Sequence, residues 1–109
     1  MLNLSKGALQ ELVFINEPEV DIHICQQANS TLRVVLINLP VGHSAPVNNT
    51  IHVDHKGENC RTEIYALAYL KDKEQVRTHT RVHHDIGGGE SKQLIKFVLS
   101  DSSQGSFLG

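Results

Sequence analysis

Tryptophan is absent from the chain, aromatic residues make up only 5% of it, and there are two cysteines, three prolines and one methionine. So few aromatic rings leave no stacking platform for a polysaccharide, and no paired carboxylates stand beside one to cleave it. Cys25 and Cys60 are too few for a disulfide framework, which points to a reducing, cytoplasmic setting. There is no surplus of positive charge: 10 Lys and Arg stand against 12 Asp and Glu, a formal net charge of −2. That balance excludes the basic stripe a nucleic acid requires. No apolar run approaches the ~20 residues of a membrane-spanning helix. Residues 1–10 carry neither the basic nor the apolar block of a secretory signal. Helical periodicity is nearly missing too, and 109 residues allow one domain.

What the chain does have is short apolar blocks rich in Val, Ile, Leu and Tyr, at residues 12–15, 22–24, 32–39, 51–53, 64–70 and 94–99. Clusters of Gly, Pro, Asn and Ser separate them, so they read as strands. The blocks also repeat. Ile22-His23-Ile24-Cys25 lies over Ile51-His52-Val53-Asp54 and then over Thr80-Arg81-Val82-His83, a step of 29 residues each time. Downstream, the run from Arg33 to Ile37 lies over Glu63 to Leu67 with a step of 30, and a second step of 30 leads to Gln93 through Phe97. Each copy is strand, turn, strand, long turn, with repeats near 22–50, 51–79 and 80–109. Equal steps with the same internal order mark a stacked array whose copies bury one another's faces. The architecture expected is all-β: a parallel β-helix, or solenoid, of about 30 residues per coil.

Stacking one strand spacing apart, ~4.8 Å, predicts apolar columns. Ile24, Val53 and Val82 form one; Val34, Ile64 and Leu94 a second; Val35, Tyr65 and Ile95 a third; Ile37, Leu67 and Phe97 a fourth. Lys96 then falls beneath Leu36 and Ala66 and takes that end of the sheet to solvent. The second strand of each copy is apolar on both faces, as parallel strands covered on both sides are. One face fills the interior, and the other is expected to meet another layer or another subunit. The run from Ser106 to Gly109 reads as entry into a further strand, and neither end carries a capping repeat. These features suggest an uncapped fragment of a longer β-helical protein, self-associating through exposed strands.

Seven histidines are the over-represented type. Alternation puts His52 and Asp54 on one face and Val53 and His55 on the other; His79, Arg81 and His83 share the outward face. Stacking then aligns Cys25, Asp54 and His83 in one outward column, and all three are metal-ligand types. The plainer reading is a solvated polar ladder with an Asp–His pair and no metal. Zinc motifs are missing, since no Cys-x-x-Cys or His-Glu-x-x-His occurs. A cupin-like, His-rich metal-binding jelly roll is the competing fold, but no His-x-His pair occurs either. Cys25 and Cys60 could accept sulfur if a cation lowered their pKa. Arg61 adjoins Cys60, yet neighbouring strand residues point to opposite faces, so a structural cysteine is the simpler reading. Gly87-Gly88-Gly89 lacks the following Lys-Ser/Thr and helix of a phosphate loop and reads as a turn. No catalytic residue and no resident cofactor is nominated.

Three stretches together carry a family likeness. They run from Gly57 to Leu67 (Gly-Glu-Asn-Cys-Arg-Thr-Glu-Ile-Tyr-Ala-Leu), from Thr78 to His84 (Thr-His-Thr-Arg-Val-His-His) and from Ser91 to Lys96 (Ser-Lys-Gln-Leu-Ile-Lys). They resemble the SufB/SufD family of iron–sulfur cluster assembly proteins. The His-Thr-x-Val-x-His core, followed by Ser-x-Gln and a lysine, looks closer to SufD than to SufB. The likeness runs from about Val20 to Gly109. It implies a right-handed parallel β-helix and a non-catalytic scaffold role in the SUF complex, often labelled ABC-transporter-associated. It also implies a SufB-like paralogue and a SufC-like ATPase as partners, with an iron–sulfur cluster and, on the ATPase, ATP handled by the whole complex. The family's functional histidine and its ATPase-binding helices lie beyond Gly109, so no functional residue carries over. The SufB cysteine has no counterpart at Cys25 or Cys60.

Overall fold

A computed structural model describes residues 2–17, 19–39, 47–70, 75–84, 88–99 and 104–108. The turns read at 40–46, 71–74 and 101–103 lie outside these described residues. The apolar blocks become strands because alternation gives each a dry face. These are β1 (Leu2–Leu4), β2 (Leu9–Ile15), β3 (Glu19–Gln26), β4 (Thr31–Asn38), β5 (Val47–His55), β6 (Arg61–Leu70), β7 (Gln75–His84), β8 (Glu90–Leu99) and β9 (Gln104–Leu108). No helix occurs among the described residues. Odd strands form one sheet, in the order β1-β3-β5-β7-β9, and even strands a second, β2-β4-β6-β8. Every pairing is parallel. The chain alternates between two parallel sheets, coil upon coil, in the manner of a β-helix.

In the first sheet Ile24 pairs with Val53 and Val53 with Val82, as the repeat requires. Val34 pairs with Ile64 in the second. The next step there differs from the expected one. Ile64 lies over Gln93, Tyr65 over Leu94, Ala66 over Ile95, Leu67 over Lys96 and Ala68 over Phe97, a shift of 29 rather than 30. A one-residue slip exchanges the two faces of a strand. The observed register turns Ile95 and Phe97 inward beneath two alanines, whose small side chains leave room for them. It also sends Lys96 outward and sets Glu63 against Lys92. The expected register would have placed Lys96 beneath Ala66, inside the stack. The added residue in the middle connection therefore appears once, between the first and second of these repeats (residues 27–30 against 56–60), and residues 85–89 match residues 56–60 in length.

Between the sheets lies a core of Leu4, Val20, Ile24, Leu32, Val34, Leu36, Ile51, Val53, Ile64 and Ala66, with Leu12, Phe14, Val82 and Ile95 packed against it. Ala68, Leu70 and Val76 form a second cluster with Val47 and Phe97. β1 and β2 belong to this stack as a further coil ahead of the first one legible as a repeat, since Leu2 pairs with Ile24 and Leu12 with Val34.

The corners between sheets stack as well. Gly7, Asn29, Asn59 and Gly88 all have left-handed backbone, with φ of 73°, 61°, 58° and 83°. Each stands two residues ahead of a strand of the second sheet. Gly and Asn are the residues that adopt this conformation most readily. Gly7 N donates to Ala28 O and Asn29 N to Glu58 O, so the first three corners are hydrogen-bonded in succession. The packing is close: a Cβ on Gly57 would run into the Ala28 backbone nitrogen.

Candidate functional site

On β3, β5 and β7 the residues that alternate with the core column face away from it. They form two neighbouring columns: His23, His52 and Arg81, and beside them Cys25, Asp54 and His83. The second is the column expected from the sequence. Its first two members are well shielded, Cys25 at 7% and Asp54 at 9% exposure, whereas the plainer reading had them solvated. Asp54 is shielded because two imidazoles from the neighbouring column close over it.

Asp54 is the centre of the array. His23 Nε2 donates to Asp54 Oδ2 at 2.7 Å. His52 Nε2 lies 3.4 Å from Oδ1, and His83 Nδ1 is 4.0 Å from that same oxygen. The rings of His23 and His52 stack face to face, centroids 4.4 Å apart and 8° from parallel. The hydrogen bond from His23 holds the Asp54 carboxyl below the ordinary carboxylate range, outweighing the opposite effect of burial; the His52 charge adds to it. One ligand atom each from His23, His52 and Asp54 falls within 4.8 Å of the other two. Cys25 and His83 share the column but not this tight group. His23 and His52 were missed as site residues, although their signal was present: they recur at the same step of 29, two positions before Cys25 and Asp54.

The other cysteine faces a different environment. Cys60 is buried at a coil corner, where Sγ lies 3.2 Å from Gln27 O and 3.3 Å from Gly57 O, and Arg61 beside it is exposed. This is a small polar residue closing a turn. Inside the stack, Gln26 pairs with His55 in register. Thr62 donates to Gln26 Oε1, and His55 Nε2 lies 2.6 Å from Thr62 Oγ1, a buried polar plug at one end of the core.

The outer face of the second sheet carries a charged column and two apolar ones. Glu11, Arg33, Glu63 and Lys92 alternate in sign down the stack. Arg33 Nε donates to Glu63 at 3.1 Å, and the Tyr65 hydroxyl donates to Glu63 at 3.2 Å. The Arg33 hydrogen bond lowers the Glu63 pKa first, with Tyr65 adding to it. Alongside run Val13, Val35, Tyr65 and Leu94, then Ile15, Ile37 and Leu67. Ile15 is 56% and Leu94 58% exposed. Val35, Ile37, Tyr65, Leu67, Leu94 and Lys96 line a shallow groove of about 280 Å³. This is the second apolar face that the sequence leads one to expect.

Residues 19–109 match the family model described as SUF system FeS cluster assembly, SufBD core domain. Among curated proteins, the chain is similar to the iron–sulfur cluster assembly protein SufD of Plasmodium falciparum (isolate 3D7), with 31% identity over 58 residues. That match spans 52% of this chain and 4% of the relative's length. No solved structure matches the chain. A parallel two-sheet coil stack and a match over residues 19–109 lead to one assignment: the chain belongs to the SufB/SufD family, as a SufBD core domain of the SUF iron–sulfur cluster assembly system.

Proposed function

We propose that this domain is a SufD-like, non-catalytic scaffold that works in the cytoplasm with a SufB-like paralogue and a SufC-like ATPase to build iron–sulfur clusters. The observation that carries the reading is the apolar outer face of β2, β4, β6 and β8. Parallel sheets are ordinarily covered on both sides, and a contiguous apolar surface on a folded domain is a site of macromolecular contact. On this reading the paralogue covers the columns from Val13 to Leu94 and from Ile15 to Leu67. The alternating charges from Glu11 to Lys92 border that contact and set its register. The cluster itself is cargo. The two cysteines, both buried and neither in a disulfide, are fewer than the four thiolates that ordinarily hold one, so partner residues supply the cluster's ligands.

Co-expression with the SufB-like and SufC-like proteins of the same organism tests the proposal. An affinity tag on this protein should recover both partners, and Leu67→Glu should reduce recovery about tenfold or more without unfolding the domain. Recovery of neither partner, or recovery unchanged by Leu67→Glu, would contradict it.

A further inference from the structure

We propose that His23, His52 and Asp54 bind a divalent first-row transition cation on the outward face of the first sheet. The three side chains come from adjacent coils, β3 and β5, and their ligand atoms lie within 4.8 Å of one another. An ion held at ~2.0–2.2 Å by imidazole and carboxylate places neighbouring ligand atoms roughly 3.4 Å apart in tetrahedral geometry. The present separations lie at that value or below it, 3.4 Å from His52 Nε2 to Asp54 Oδ1 and 2.7 Å from His23 Nε2 to Asp54 Oδ2. A bound ion lies in the plane of each imidazole, so binding replaces the His23–His52 stack with two splayed rings.

A second observation favours an ion over a static ladder. The Nε2 atom of His52 is fully buried, yet it has no hydrogen-bond partner among the described residues. Its contact with Asp54 Oδ1, 3.4 Å away, is of ion-pair length but is not a hydrogen bond, and buried polar atoms are seldom left without one. A cation between them would satisfy both. Two imidazoles and one carboxylate suit Zn²⁺, Fe²⁺ or Co²⁺ and disfavour the hard, oxygen-preferring Mg²⁺ and Ca²⁺. Lys56, whose charge reaches Asp54, and Arg81, the exposed register partner of His52, are the cations beside this group. His83, across from Asp54 on β7, completes the surroundings.

Titration of the purified protein with Co²⁺ tests this, followed by visible absorption and by competition with Zn²⁺. One saturable equivalent is expected, with a rise in thermal midpoint on Zn²⁺ addition. His23→Gln and His52→Gln should each weaken binding about tenfold or more, while His79→Gln, on the same face of β7, should not. Imidazole NMR of the unaltered protein reads the ligands without substitution: Zn²⁺ should shift the rings of His23 and His52 and leave His79 in place. No saturable binding by about 1 mM metal, unchanged affinity in His52→Gln, or ring shifts confined to other histidines would overturn the proposal.

Discussion

At Asp54 a shielded carboxylate accepts a 2.7 Å hydrogen bond from His23. That bond lowers its pKa below the unfolded value, so the folded state is stabilised while the carboxylate stays charged. The contribution is fully present above the ordinary carboxylate pKa near ~4 and is lost as pH falls through the lower folded value. Thermal melts between pH 7 and pH 3 should show a steeper acid decline for the native chain than for Asp54→Asn. Parallel declines would mean the contact contributes nothing. Core positions are simpler. Ile64 is fully buried, and Ile64→Ala should cost about 2–5 kcal/mol through lost transfer energy and the cavity left behind. Leu94 is 58% exposed, and Leu94→Ala should stay within roughly 0.5 kcal/mol. Chemical denaturation measures both, and a large loss at Leu94 would place it inside the stack.

Between elements, register is the quantity that matters, and here the sequence was only partly legible. The first sheet announces itself because its inward residues, Ile24, Val53 and Val82, recur at one spacing and all are β-branched. In the second sheet the strands are apolar on both faces, so hydrophobicity alone does not distinguish a step of 29 from one of 30. Two other signals do. Charge alternation from Glu63 to Lys92 requires the observed step, and so does the left-handed corner column of Asn29, Asn59 and Gly88. β1 escaped detection because three residues, Leu2–Leu4, are too short to show a pattern. The outward site was half legible: the Cys25–Asp54–His83 column follows from spacing, whereas the closure of His23 and His52 over Asp54 depends on side-chain rotation. Corner packing gives a prediction of its own. Gly57→Ala should destabilise the fold by about 1–3 kcal/mol, because the new methyl meets the Ala28 backbone rather than a movable side chain. A neutral substitution would show that the corners are looser than the stack requires.

Across the whole molecule, stability in a stack is set by neighbours, since each coil is buried by the coils on either side. Most of the deepest-buried side chains lie in the middle strands, Leu32, Val34 and Leu36 of β4, Ile51 and Val53 of β5 and Ile64 of β6, with Ile24 of β3 and Thr80 of β7 on either side of them. Hydrogen exchange should therefore be slowest in β4, β5 and β6 and fastest in β1, β8 and β9. Uniform protection would mean the chain opens as one unit rather than from its ends. The interior is taken up by stacking, and the proposed ion site and the proposed partner surface lie on the outer faces of different sheets.

The fold and both of its outer faces depend on coils lying in register, and interstrand nuclear Overhauser effects read that directly. Parallel-sheet contacts are expected between the backbones of Ile24 and Val53, Val34 and Ile64, and Ile64 and Gln93. Contacts pairing Ile64 with Leu94, or an antiparallel pattern at any of these positions, would contradict it.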